Sequence, residues 1–340
     1  MFQGHGDDGY LHDQPATADF STNVWHGGAP AGLKEHLIEN WGKVQRYPEV
    51  LGESLTAKIA AHYNFPAESI LVTNGSTESI YLIAQAFRCK KSAIAIPAFA
   101  EYEDACKMHG HKITFVHWDK LKAGEFPEEA DLLFICNPNN PTGEVLADLE
   151  VFLKKKINTL FVVDEAFIEF TSSVTSLVKL VESCPNLIVL RSMTKAYTIP
   201  GLRLGYICAQ PFLINLLKTA KLPWSVNALA LEAGHFIFDN FNTLQLPLRQ
   251  LLSAKADFAQ QIENSGLSVY PSHTHFFLAE TSTGNAAGLK EYLLKKFNLL
   301  IRNAENFRGL NAQYIRIATL SPEKNNLLIS ALEQWKHTTL

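Results

Sequence analysis

The sequence predicts an α/β protein, with a mostly parallel sheet covered by helices on both faces and a smaller α+β unit after it. Two observations carry this. Seven short apolar, β-rich runs alternate with helical patterns between residues 70 and 208, the mark of parallel strands joined by helical crossovers. From about Ala228 the alternation gives way to long helices followed by four strand-like runs. The length agrees: 340 residues exceed one ordinary core, so a large domain plus a smaller one is expected.

Taken in order, the seven runs are ILVT (70–73), AIAI (93–96), ITFV (113–116), LLFIC (132–136), LFVV (160–163), LIVL (187–190) and LGYIC (204–208). Amphipathic stretches such as STESIYLIAQAF (76–87) and LADLEVFLKKK (146–156) supply the covering helices. The later strand candidates are SVYPS (268–272), HFFLAE (275–280), LLIRN (299–303) and YIRIA (314–318). The expected division is a large domain over 34–227, with 1–33 and 228–340 forming the N-terminal arm and the smaller domain.

Composition narrows the function. The chain is 47% apolar with a net charge of −4, a soluble globular profile that gives no reason to expect nucleic acid. The one basic run, Lys154-Lys155-Lys156, reads as a solvated helix face. The start, MFQGHGDDGY, lacks the pattern of a signal peptide, and no apolar run approaches the roughly 18 residues of a membrane span. Cysteines 89, 106, 136, 184 and 208 form no CxxC pair and read as buried thiols of a reducing compartment, so a cytoplasmic location is expected. His109, His111 and His117 flank a strand at a spacing that fits no standard metal site, so no metal is expected.

Ligands of parallel sheets sit at the carboxyl ends of the strands. After ILVT comes Asn74-Gly75-Ser76-Thr77-Glu78, a glycine and small hydroxyls opening a helix, which suits an anion or an ordinary N-cap. After LLFIC comes Asn137-Pro138-Asn139-Asn140-Pro141-Thr142-Gly143, a turn sequence. LFVV ends at Asp164, a carboxylate that is costly at the end of a buried strand unless it meets a cation or donors. LIVL leads to RSMTKAYTIPGLRLGY (191–206), which holds Lys195 among Ser192, Thr194 and Thr198, with Arg203 eight residues on. An amine for a Schiff base, a buried carboxylate for a pyridinium nitrogen, an asparagine and a phosphate cradle are together what pyridoxal phosphate needs.

On these motifs the chain resembles the fold-type I pyridoxal-phosphate enzymes of the class I/II aminotransferase superfamily, from about Asp19 to beyond Arg316. The aspartate aminotransferase-like fold, with a seven-stranded large-domain sheet, is what that resemblance implies. Within the superfamily it is most similar to the threonine-phosphate decarboxylases and the histidinol-phosphate aminotransferases. The resemblance implies pyridoxal 5'-phosphate as cofactor and a small amino acid as substrate. Lys195 then carries the cofactor and shuttles the proton, Asp164 pairs with the ring nitrogen, and Asn140 bonds the ring hydroxyl. Gly75, Ser76, Thr77, Ser192, Thr194 and Arg203 match the phosphate cradle, and Phe99 matches the ring that stacks on the cofactor. Tyr47, in RYPE, resembles a tyrosine that reaches the neighbouring subunit's cofactor phosphate, which implies a homodimer with shared active sites. Arg316 matches the arginine for the substrate carboxylate, Asn23 matches a pocket-lining segment of the arm, and His5 matches a substrate contact.

Departures are also visible. Phe167 stands where many relatives have tyrosine, and losing that phenol is expected to raise the pKa of the lysine–cofactor linkage. The sequence DEAF (164–167) resembles the decarboxylases, whereas histidinol-phosphate aminotransferases usually show DEAY. His5 is followed by Gly6-Asp7-Asp8, adding carboxylates, and ATLS follows Arg316 with no second arginine. Both count against a phosphorylated substrate, because a dianion wants cations. The favoured expectation is a threonine-phosphate decarboxylase-like enzyme, with an aminotransferase as the alternative. A non-catalytic regulator on the same fold is disfavoured, because the matching region begins by about residue 19 and leaves no room for an added domain.

Overall fold

The computed structural model describes residues 8–11, 15–282 and 284–338. A two-residue strand, β1 (Ala18–Asp19), lies in the N-terminal arm. The large sheet is built from β2 (Ile70–Thr73), β3 (Lys91–Ile96), β4 (Lys112–His117), β5 (Leu132–Cys136), β6 (Leu160–Asp164), β7 (Leu187–Ser192) and β8 (Gly205–Ala209), in the spatial order β2-β8-β7-β6-β5-β3-β4. Within it β8 runs antiparallel to both neighbours, and the pairs among β3 to β7 are parallel. The burial explains the sequence pattern. Every residue of β5, β7 and β8 is buried, as strands with helices on both faces require, whereas edge strand β4 leaves most of its residues exposed.

The smaller sheet is antiparallel, in the order β12-β13-β10-β9, from β9 (Leu267–Val269), β10 (Phe276–Thr281), β12 (Arg302–Asn303) and β13 (Tyr314–Ala318). The run LLIRN, read as one strand, is divided. Its first half, β11 (Leu299–Leu300), pairs in parallel with β1, and its second half joins β13. The arm is thereby stitched to the smaller unit, with Phe258, Ile262, Leu289, Leu293, Leu328 and Leu332 forming the core beneath. The helix Ala228–Asp239, which a boundary at 227 assigns to the smaller unit, instead buries Ala230, Leu231, Ala233, Ile237 and Phe238 in the core of the large sheet. Its apolar stripe faces the helices Leu33–Glu39 and Glu53–Tyr63, so packing rather than chain order decides its place.

Four of the five cysteines are buried, but Cys89 is exposed in a turn with φ of 63°, contrary to expectation. Among the described residues, no helix is long and apolar enough to cross a membrane.

Candidate active site

The parallel register aligns Cys136 with Asp164 and Asp164 with Leu190, so β5, β6 and β7 end side by side. Beyond these ends lies a cavity of about 400 Å³, lined from the sheet by Asn140, Asp164 and Lys195, from the arm by Ser21–Val24, and from the smaller sheet by Arg302 and Arg316. The arm is held over the lysine loop by Trp25 N–H donating to the Lys195 carbonyl (3.1 Å) and by Thr198 Oγ1 donating to the Trp25 carbonyl (2.9 Å).

Asp164 is buried. Its Oδ2 accepts from the Tyr102 hydroxyl at 2.8 Å and its Oδ1 from the Ala166 N–H at 2.9 Å. Burial pushes its carboxyl up to about 6, against the pull of those donors and of the Lys195 charge. A cation opposite it in the cavity would restore its charged form.

The helix Gly75–Ala86 opens beside β8. Gly75 has φ of 76°, and a Cβ there would stand 2.7 Å from Arg203 Nη2, so glycine lets the guanidinium lie across the helix N-terminus. A Cβ on Gly205 would meet Ser76 N at 2.9 Å, so the same closeness fixes the strand against that terminus. Ser76 and Thr77 line the cavity there together with Ser192 and Thr194, whose hydroxyls lie 2.8 Å apart. N–H groups of a helix N-terminus, hydroxyls and a guanidinium make an anion cradle. Burial lowers the Arg203 pKa, because it disfavours an unpaired charge there, and an anion beside the guanidinium would offset that penalty.

Across the cavity, the buried Arg316 donates from Nη1 to Asn140 Oδ1 at 2.6 Å and from Nη2 to the Ser21 carbonyl. Arg302 and Arg316 are directly paired on antiparallel β12 and β13, which sets both side chains on one face of the sheet. Like charges placed so are destabilising, and burial with the neighbouring Arg302 charge pushes Arg316 down to about 9. Burial also pushes Arg302 down to about 10. Asn23 is buried, and both of its amide atoms lack a hydrogen-bond partner among the described residues. His275, stacked on Phe170 at 3.8 Å between ring centroids, is pushed down to about 3 by burial and lies 3.2 Å from the Asn23 carbonyl. A neutral imidazole thus supports the arm.

The structure brings Asn23, Ser76, Thr77, Phe99, Asn140, Asp164, Ser192, Thr194, Lys195, Arg203 and Arg316 to one cavity, with Gly75 beneath Arg203. Tyr47 is not among its lining residues. It is 84% exposed, its ring 5.2 Å from Trp224. His5 lies outside the described residues. His111 is engaged at both ring nitrogens, by Ser92 Oγ at 2.7 Å and the Ala84 carbonyl at 2.8 Å. Sequence reasoning missed Tyr102, Arg302 and Asn306. For Arg302 a signal existed: a charge inside the apolar run LLIRN, the same cue that singled out Asp164. No second arginine follows Arg316 in sequence, but Arg302 on the adjacent strand stands beside it at the cavity.

The family model described as "Aminotransferase class I and II" matches residues 18–332. The threonine-phosphate decarboxylase of Salmonella typhimurium is 33% identical over 334 residues, covering 92% of this chain and 90% of that protein. A histidinol-phosphate aminotransferase of Caldanaerobacter subterraneus subsp. tengcongensis is 30% identical, covering 90% of each. The crystal structure of L-threonine-O-3-phosphate decarboxylase from Porphyromonas gingivalis superposes with a TM-score of 0.91 at 40% identity, covering 94% of this chain and 99% of that one.

Proposed function

This chain belongs to the class I and II aminotransferase family of pyridoxal-phosphate-dependent enzymes, and from that premise we propose that it decarboxylates L-threonine O-3-phosphate. The donor set fits the cofactor: an amine, a buried acid raised by burial and an anion cradle face one cavity. Bound pyridoxal phosphate supplies an aldehyde that condenses with amines and a pyridinium ring that draws electrons from the adjacent carbon.

The residues divide the remaining work. Lys195 Nζ would be the attachment point and the proton carrier, and Asp164 would keep a proton on the ring nitrogen. One such opposite charge is worth roughly 1–3 pKa units. Ser76, Thr77, Ser192, Thr194 and Arg203 would hold the cofactor phosphate, Asn140 would bond the ring hydroxyl, and Phe99 would cover the ring. Arg316 takes the substrate carboxylate and Arg302 its phosphate, with Asn23 supplying donors from the arm. When carbon dioxide leaves, its bonding pair stays at Cα and a proton from Lys195 Nζ replaces it. The arm and the smaller unit close over the strand ends and exclude water.

The observation that carries the reading is the pair Arg302–Arg316 facing one cavity, which suits a substrate with two anionic groups. Incubation with threonine phosphate is expected to release carbon dioxide without forming keto acid. Keto acid formed with 2-oxoglutarate as acceptor, and no carbon dioxide, would instead support an aminotransferase, a reading favoured by the histidinol-phosphate relative.

The enzyme we propose is a homodimer with shared sites. Trp41 (59% exposed), Tyr47 (84%), Leu222 (72%) and Trp224 (48%) are large apolar side chains left exposed, with the Tyr47 and Trp224 rings 5.2 Å apart, and a second copy would cover them while bringing Tyr47 to its partner's cofactor phosphate. Sedimentation equilibrium is expected to give twice the chain mass, and a monomer at micromolar concentration would overturn it.

A further inference from the structure

A second cavity, of about 710 Å³, adjoins the first, and Arg302 and Asn306 line both. Its other polar walls include Asp8 and Lys290. Lys290, on the helix Ala286–Phe297, donates to Asp8 Oδ2, and both side chains are largely buried at 17% and 23% exposure. Asp8 Oδ1 is buried and has no hydrogen-bond partner among the described residues. Arg302 donates to Asn306 Oδ1 at 2.7 Å and lies over the Phe307 ring at 5.3 Å, so it is braced at the junction of the two cavities. The Asp8 charge also acts on Arg302, raising its pKa against burial. One carboxylate therefore serves two cations at the junction of the two cavities.

We propose that Lys290 is a further specificity-determining residue: with Arg302 it forms a two-cation subsite for the dianionic phosphate of the substrate, and Asp8 is the internal anion that this phosphate displaces. This rests on the reading of a phosphorylated amino acid as substrate. A single carboxylate brings one charge and a phosphate brings nearly two with three acceptor oxygens, so exchange is favourable at the phosphate and unfavourable for an uncharged side chain. Asp8, at first sight hostile to a phosphorylated substrate, then acts as a selector, since only a stronger anion releases Lys290.

The test is calorimetric titration of the pyridoxal-phosphate-loaded protein with inorganic phosphate, in parallel with steady-state kinetics on threonine phosphate and threonine. Lys290→Gln is expected to weaken phosphate binding about tenfold and to raise KM for threonine phosphate similarly, with kcat and the threonine kinetics little changed. Lys290→Arg should retain phosphate affinity within about threefold. Asp8→Asn should tighten phosphate binding several-fold, a gain that misfolding does not produce. Unchanged phosphate affinity in Lys290→Gln, or equal loss for threonine and threonine phosphate, overturns the subsite, and no tightening in Asp8→Asn overturns the displacement. If the wild type releases no carbon dioxide from threonine phosphate while phosphate affinity still depends on Lys290, the reaction reading fails and the subsite stands.

Discussion

Asp164 and Glu165 are consecutive buried acids at the end of the same strand, and they have opposite surroundings. Glu165 points away from the cavity into a closed set of partners: the Leu177 N–H at 2.6 Å, the Ser176 hydroxyl at 2.5 Å and the Arg191 guanidinium at 3.5 Å. Arg191 also pairs with Glu169. Asp164 points into the cavity, with two donors and the charge of Lys195. Burial raises both carboxyls, Asp164 to about 6 and Glu165 to about 7. Two neighbours thus share burial and chemistry but not purpose. The pleat sends successive side chains to opposite faces, one into a ligand cavity and one into a strut that ties β6 to β7. Burial of an acid marks a cost, and the direction it faces decides whether a ligand or the protein meets that cost.

Substitutions can break this comparison. The largest expected effect on turnover is at Asp164: Asp164→Asn should lower kcat/KM on the order of 10² to 10³, as loss of one preorganised electrostatic group does. The same change should stabilise the cofactor-free protein at neutral pH. The raised carboxyl binds its proton more tightly when folded, so its destabilising effect is absent below the unfolded value near 4, grows as pH rises from there to about 6 and is complete above that. Denaturant titrations at pH 5 and pH 7.5 should differ by on the order of 1 kcal/mol less in Asp164→Asn than in the parent. Glu165→Gln also removes a carboxyl that burial raises, but one on which the buried Arg191 depends for a partner, so it should cost stability and spare turnover. Breaking a buried ion network costs about 3–5 kcal/mol, while kcat of the folded fraction stays within about threefold. A large kcat loss in Glu165→Gln with unchanged stability would erase the distinction.

Smaller effects sharpen it. Arg316→Gln should cost about 1.5–3 kcal/mol in kcat/KM, the range of one charged hydrogen-bond donor, read by steady-state kinetics. Tyr102→Phe removes a donor from the Asp164 carboxylate and should raise KM for the cofactor only a few-fold. Phe167 lines the cavity and packs edge-on to Phe276 at 4.9 Å. Phe167→Tyr is expected to move the titration of the visible cofactor band to lower pH by about one unit, the lower end of a charged hydrogen bond's worth.

The large sheet was legible because fully buried strands leave unbroken apolar runs. LLFIC matches β5 and YIRIA matches β13 residue for residue. What escaped depends on contacts between distant segments. LLIRN looks uniform, yet its division into β11 and β12 follows from the arm pairing with one half and β13 with the other. The helix at 228–239 follows a packing partner that chain order does not reveal. Within the site, Asp164, Lys195 and Arg203 were readable from short motifs at strand ends. Arg302 offered a cue, a charge inside an apolar run, but its place at the cavity follows only from its pairing with Arg316, and Tyr102 offered none, since its link to Asp164 exists only through the 2.8 Å bond that brings a helix to β6.

The most direct measurement is borohydride reduction of the protein incubated with pyridoxal phosphate, followed by peptide mass mapping. A covalent cofactor mass on the peptide bearing Lys195, absent in Lys195→Ala together with the visible absorbance band, is the predicted result. A label on another lysine, or a colourless protein that takes up none, would contradict the account.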